Sequence, residues 1–161
     1  FIANIDLEDD RRWVPYADGV WFQPLHFNVT SGGFSVILKG LPGAKLGTHY
    51  HVGTVRGYTL RGHWRYLEHD WVAKPGTFIY EPAGEAHTLV ITEDSPGPAV
   101  IMFVAPGPTD EVATMSKLTS EWFRERRHQS RQNRMRGPRG AATVPRISLC
   151  GEALAAGAGG G

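Results

Sequence analysis

Three histidines carry the chemistry most directly. His49 and His51 stand one residue apart in the run Gly43-Ala-Lys-Leu-Gly-Thr-His-Tyr-His51. On a strand, residues two apart point to the same face, so both imidazoles share a side and Tyr50 takes the other. His87 closes a second run, Gly76-Thr-Phe-Ile-Tyr-Glu-Pro-Ala-Gly-Glu-Ala-His87, beyond a Pro-Ala-Gly turn. A third imidazole from a neighbouring strand completes a three-nitrogen face for a metal. Imidazole suits zinc, copper, iron and nickel alike, so these donors do not choose the ion.

Two further residues are candidates for catalytic work. Glu81 lies six residues before His87, where a strand enters the Pro82 turn, and its neighbours Phe78, Ile79 and Tyr80 are largely apolar. It reads as an acceptor that orients a ligand histidine, or as the group that takes a proton from a substrate. His63 follows Gly62 and is a candidate for the pocket lining. His26, His69 and His128 read as structural or surface residues, Glu85 as a solvated carboxylate, and Trp21, Trp64 and Trp71 as packing. No Ser/His/Asp or Cys/His pattern suggests a protein nucleophile.

The elements that must position these groups are short strands. Gly19–Val29, Phe34–Lys39, Thr48–Val52, Thr54–Leu60, His63–Glu68, Thr77–Glu81, His87–Thr92 and Ala99–Val104 follow one another between Gly- and Pro-rich turns. Arg61-Gly62 reads as a tight hairpin connection. Such spacing without a helical period predicts an all-β sandwich or barrel. Residues 1–18 read as an arm with one short strand whose aromatics pack on the body, which spans 19–108. Residues 109–127 hold a weak helical pattern from Val112 to Arg127, with Leu118, Trp122 and Phe123 as its apolar members. From 128 to 161 the chain is rich in Arg, Gly and Ala without periodicity and is expected to be disordered.

The motif spacing identifies the chain as a member of the cupin superfamily. Gly43, His49-x-His51 and Gly62 match the first cupin motif, and Gly76, Pro82-x-Gly84 and His87 match the second. The resemblance implies a single-domain, double-sheet jelly roll. Two positions depart from it: Val55 stands where many cupins place a ligating glutamate, and Ile91 where they place an asparagine. Within the superfamily, the runs Gly19–Phe22, Leu25–Thr30, Tyr66–Ala73 and Tyr80–Val90 resemble the 2,4'-dihydroxyacetophenone dioxygenases, and also the acetylacetone-cleaving dioxygenases. This resemblance spans roughly Phe1 to Pro108. It implies iron(II) held by His49, His51 and His87, with zinc or another divalent transition metal fitting the same donors. It also implies a small aromatic hydroxyketone or diketone and O2 as substrates, in aromatic compound catabolism that spares the ring. Period two then places Gly57 and Thr59 on the inward face with Val55, leaving room beside the metal, and Leu89 and Ile91 inward with His87. Either Met102 or Phe103 closes the pocket.

Composition sets the outer bounds. The 161 residues, 41% hydrophobic and 20% charged, are enough for one domain with a real core. The net charge of +1 hides an asymmetry: residues 1–116 carry 8 basic and 13 acidic side chains, and residues 117–161 carry 9 and 3. The basic tail lacks interleaved aromatics or a recognised motif, so nucleic acid is not an expected partner. No apolar run approaches the ~20 residues of a membrane helix, so no membrane is expected either. One cysteine, Cys150, fits a reducing cytoplasm. A homo-oligomer is compatible with the sequence. The sequence starts at Phe1 rather than a methionine, which leaves a targeting segment ahead of it open.

Overall fold

The computed structural model describes residues 4–107 and 111–135. Ten strands run in the order β1 (Val14–Ala17), β2 (Val20–Asn28), β3 (Gly33–Gly40), β4 (His49–Tyr50), β5 (Val55–Arg61), β6 (Trp64–Tyr66), β7 (Phe78–Glu81), β8 (Ala86–His87), β9 (Leu89–Ile91) and β10 (Ala99–Ala105). One helix, α1 (Glu111–Met135), follows them. The main sheet has six strands in the order β1-β2-β3-β10-β5-β7, and two ribbons, β4-β8 and β6-β9, make the rest. All the pairings are antiparallel.

Period two explains the core. Phe34, Val36 and Leu38 of β3 and Ile101, Phe103 and Ala105 of β10 point to one side of the main sheet. There they meet Trp64 and Tyr66 of β6 and Leu89 and Ile91 of β9. Ile37 and Val100 point the other way, onto Trp13 of the N-terminal arm. β5 alternates in the same manner: Val55, Gly57 and Thr59 are buried while Arg56 and Tyr58 are exposed.

Four local features differ from the sequence expectation. Arg61-Gly62 does not close a hairpin, because β5 lies in the main sheet and β6 pairs with β9. The chain turns a corner between sheets there. Gly62 adopts φ +72°, and a Cβ on it would lie 2.5 Å from Ala99 Cα, so only glycine fits. The strand expected over His87–Thr92 breaks at Thr88. The Thr88 N–H donates to Glu68 Oε2 at 2.8 Å instead of to a strand partner, and its hydroxyl donates to Glu68 Oε1 at 2.8 Å. Gly57 leaves no room for a ligand: a Cβ there would lie 2.8 Å from Ile79 Cγ1 and 2.9 Å from Phe103 Cε1.

The fourth difference is the helix. It continues past Arg127 to Met135, so residues 128–135, expected to be disordered, are helical. Val112 and Met115 are buried in the core, with Leu118 and Trp122 packed at its edge. Phe123 is exposed rather than an apolar member of the packed face. The second half continues because Glu, Arg and Gln have good helix propensity, which needs no apolar period. Residues 136–161 of the expected tail lie outside the described residues. No helix among the described residues is long and apolar enough to cross a membrane.

Candidate metal centre

The three histidines meet because two short strands pair. His49 on β4 is the direct partner of His87 on β8. His51 follows on the same face, while Tyr50 is exposed on the other. The Gly84 N–H, in the turn that precedes His87, donates to the His51 carbonyl at 2.8 Å and ties the two motifs together. Ring centroids are 5.0 Å apart for His49–His51, 4.7 Å for His49–His87 and 5.2 Å for His51–His87. One nitrogen from each ring lies within 4.8 Å of the others, and together the three could hold a metal ion.

The second nitrogens and neighbours fit that use. His49 Nδ1 lies 2.8 Å from the Gly47 carbonyl, so it carries the proton and Nε2 keeps its lone pair. Burial pushes the His87 imidazole below its usual range despite Glu81, which keeps it neutral and able to ligate. His87 Nε2 has no hydrogen-bond partner among the described residues. A buried nitrogen left without a partner is costly, and a bound cation removes that cost.

Glu81 stands beside this cluster. Its Oε2 is 3.2 Å from His51 Nε2 and 3.6 Å from His87 Nε2. Its Oε1 accepts a hydrogen bond from the Tyr66 hydroxyl. Burial pushes the carboxyl up, but hydrogen bonding from His51 and the Tyr66 hydroxyl outweighs it and holds it below the usual carboxylate range. Glu81 is therefore an anion at neutral pH. Tyr66 is pushed far above its usual range, first by burial and then by Glu81, so it remains a hydrogen-bond donor.

Tyr66 is the residue that sequence reasoning missed. Its signal was available: Trp64 and Tyr66 alternate inward on one strand, and a buried phenol requires an acceptor. Trp64 behaves as packing, with its Nε1–H donating to Thr59 Oγ1 at 2.8 Å. Trp71 is partly exposed rather than core.

Two spaces adjoin the cluster. Inside the barrel a cavity of about 40 Å³ is lined by His49, His51 and apolar side chains including Val55, Leu89, Phe103 and Met115. The choice between Met102 and Phe103 thus falls to Phe103. On the outer side an open recess of about 250 Å³ has Glu81 and His87 within reach, and is walled by Tyr66, His69, Trp71 and Tyr80. His69, read from the sequence as a structural or surface residue, lines this recess with Glu85, and the two pair at 2.9 Å. His63 lines neither space. It sits at the sheet corner, where its N–H donates to Ser95 Oγ at 2.8 Å. The structure thus does not bring His63 to the other candidates.

Jelly-roll strands carrying three inward histidines on paired motifs define a cupin. Residues 5–110 match the ChrR cupin-like domain family, and the chain belongs to that family. Among solved structures it resembles a protein of unknown function with a cupin-like fold from Ralstonia eutropha JMP134. That pair shares 25% identity with a TM-score of 0.62, over 67% of this chain and 75% of that one. An RmlC-like cupin from the same organism shares 32% identity with a TM-score of 0.55, over 65% and 69% of the two chains. An acetylacetone dioxygenase from Acinetobacter johnsonii shares the fold at 16% identity and a TM-score of 0.54, over 65% and 74%. No curated protein sequence matches the chain.

Proposed function

We propose that the protein is a non-haem iron dioxygenase that cleaves a carbon–carbon bond of an α-hydroxyketone resembling 2,4'-dihydroxyacetophenone. The observation that carries this reading is a three-imidazole cluster with one buried carboxylate, Glu81, at its edge. Iron bound by His49, His51 and His87 would supply Lewis acidity and also the redox chemistry that O2 requires; zinc supplies only the first.

The chain's own residues supply the rest. Three neutral imidazoles contribute no negative charge, so the site favours a substrate that binds as an anion through two oxygens. An α-hydroxyketone that loses its proton becomes such an anion, and so does a β-diketone, the runner-up substrate. Glu81 Oε2 is placed to accept that proton, while the Tyr66 O–H holds Oε1 and fixes the carboxylate plane. The recess walled by Trp71, Tyr66 and Tyr80 has the size and aromatic lining for one substituted ring. The inner cavity places an apolar wall on the other side of the cluster.

The reaction balances without a reductant. The bond between the carbonyl and carbinol carbons breaks, and each carbon gains one oxygen atom from O2. 2,4'-Dihydroxyacetophenone would give 4-hydroxybenzoate and formate. Oxygen uptake by the iron-loaded protein with a panel of α-hydroxyketones and β-diketones tests the reading.

A second reading rests on the ChrR cupin-like match: a zinc-binding regulatory module. Metal analysis of the purified protein separates the two, since iron supports the oxygenase and zinc the regulator.

A further inference from the structure

We propose that Glu81 Oε2 is itself a ligand of the metal, a carboxylate supplied from β7 in place of the one that the first motif lacks at Val55. This rests on reading the three histidines as a metal site, but not on the dioxygenase reaction; in that reaction a substrate proton taken by Oε2 would free it from the metal.

The strand register makes the substitution possible. Val55 on β5 and Glu81 on β7 are direct antiparallel partners. Side chains of directly opposed residues share a face, with Cβ atoms about 4.5–5.5 Å apart. Both residues are buried, at 1% and 4% exposure. A carboxylate on residue 81 therefore reaches the space that a carboxylate on residue 55 would fill.

Two of the distances, those to His51 and His87, suit ligation. Adjacent donors around an ion with ~2.1 Å bonds stand ~3.0–3.4 Å apart. Oε2 lies 3.2 Å from His51 Nε2 and 3.6 Å from His87 Nε2, close to the edges of such a polyhedron. Neither Oε2 nor His87 Nε2 has a well-aligned hydrogen bond among the described residues. His87 Nε2 is a buried nitrogen without a hydrogen-bond partner among the described residues, and one cation would satisfy it together with the Oε2 carboxylate oxygen. Oε1 is taken by Tyr66, which leaves Oε2 as a single, oriented donor. In the rival arrangement His51 Nε2–H donates to Oε2, the ring ligates through Nδ1, and Glu81 only positions His51.

Zinc and cobalt(II) binding to the metal-free protein decides between the two, with Glu81→Gln, the double variant Val55→Glu/Glu81→Val, and His87→Ala. Loss of a residue that acts through a ligand costs ~10–100-fold in affinity. Ligation predicts that Glu81→Gln loses more than that, changes the cobalt absorption spectrum, and removes one oxygen scatterer from the zinc X-ray absorption spectrum. It also predicts that the double variant, with the carboxylate moved back across the strand pair, recovers most of the affinity. A Glu81→Gln protein with an unchanged zinc coordination shell, in which His87→Ala still abolishes binding, would overturn the proposal and leave the three-histidine site standing. Full binding by His87→Ala would instead remove the metal site itself. The Glu81→Gln spectrum decides even if the double variant fails to fold.

Discussion

Tyr66 lies against His87 with ring centroids 4.1 Å apart and 26° between the planes, and the same side chain donates its hydroxyl to Glu81. One residue thus fixes both the third histidine and the carboxylate. Tyr66→Phe keeps the stacking and deletes the donor. A hydrogen bond to a charged group contributes about 1.5–3 kcal/mol, and its loss leaves Glu81 Oε1 buried without a partner. The expected outcome is a urea midpoint lowered by that free energy divided by the slope, with the slope unchanged. An unchanged midpoint would show that Tyr66 contributes only packing.

Two glycines of positive φ, Gly62 and Gly84, differ in what surrounds them. Gly62 has φ +72° and backbone atoms of Ala99 where a side chain would go, whereas Gly84 has φ +80° and nothing within 4 Å. Gly62→Ala carries both backbone strain and overpacking, and is expected to cost about 2 kcal/mol or more. Gly84→Ala carries only the left-handed conformation and is expected to cost about 1–2 kcal/mol. Thermal melts of the two variants should rank in that order; equal melts would contradict the account of the sheet corner.

Helix α1 reaches the site through Met115, which is buried and lines the inner cavity. Met115→Ala is expected to cost about 2–5 kcal/mol, because a core methionine leaves a hole when truncated. Phe123→Ala, on the exposed stretch of the same helix, should stay within about 0.5 kcal/mol of the parent. Chemical denaturation of both proteins checks the pair. Similar costs would mean that the helix does not pack as described.

His63 and His87 test the boundary of the metal centre. His63 sits at the corner with its N–H on Ser95, while His87 is within the cluster. His63→Ala should bind metal with unchanged stoichiometry, and His87→Ala should bind none. Metal analysis after desalting reads both directly, and loss of metal in His63→Ala would return that residue to the site.

The histidines were legible because ligand spacing is a property of the chain, and Glu81 because an acid beside Phe78, Ile79 and Tyr80 invites a reason. The parity of Val55, Gly57 and Thr59 followed from period two alone. Other features depend on partners distant in sequence. Tyr66 needs Glu81, 15 residues away, before its hydroxyl has a purpose. The break at Thr88 comes from the Glu68 carboxylate 20 residues earlier, which no period within β8 and β9 encodes. The corner at Gly62 depends on Ala99 coming close to its Cα. The helix beyond Arg127 lacks an apolar stripe, residues 128–132 being exposed, and propensity rather than pattern extends it. The role of Gly57 was misread because Ile79 and Phe103 fill the space that its missing side chain leaves.

The fate of labelled oxygen tests the central claim most directly. The iron-loaded protein would be given ¹⁸O2 and 2,4'-dihydroxyacetophenone, and the acids examined by mass spectrometry. A dioxygenase predicts one labelled atom in 4-hydroxybenzoate and one in formate, with one O2 consumed per substrate. No oxygen uptake with any α-hydroxyketone or β-diketone, or acids that carry oxygen only from water, would contradict the reaction and favour the zinc-binding regulatory module.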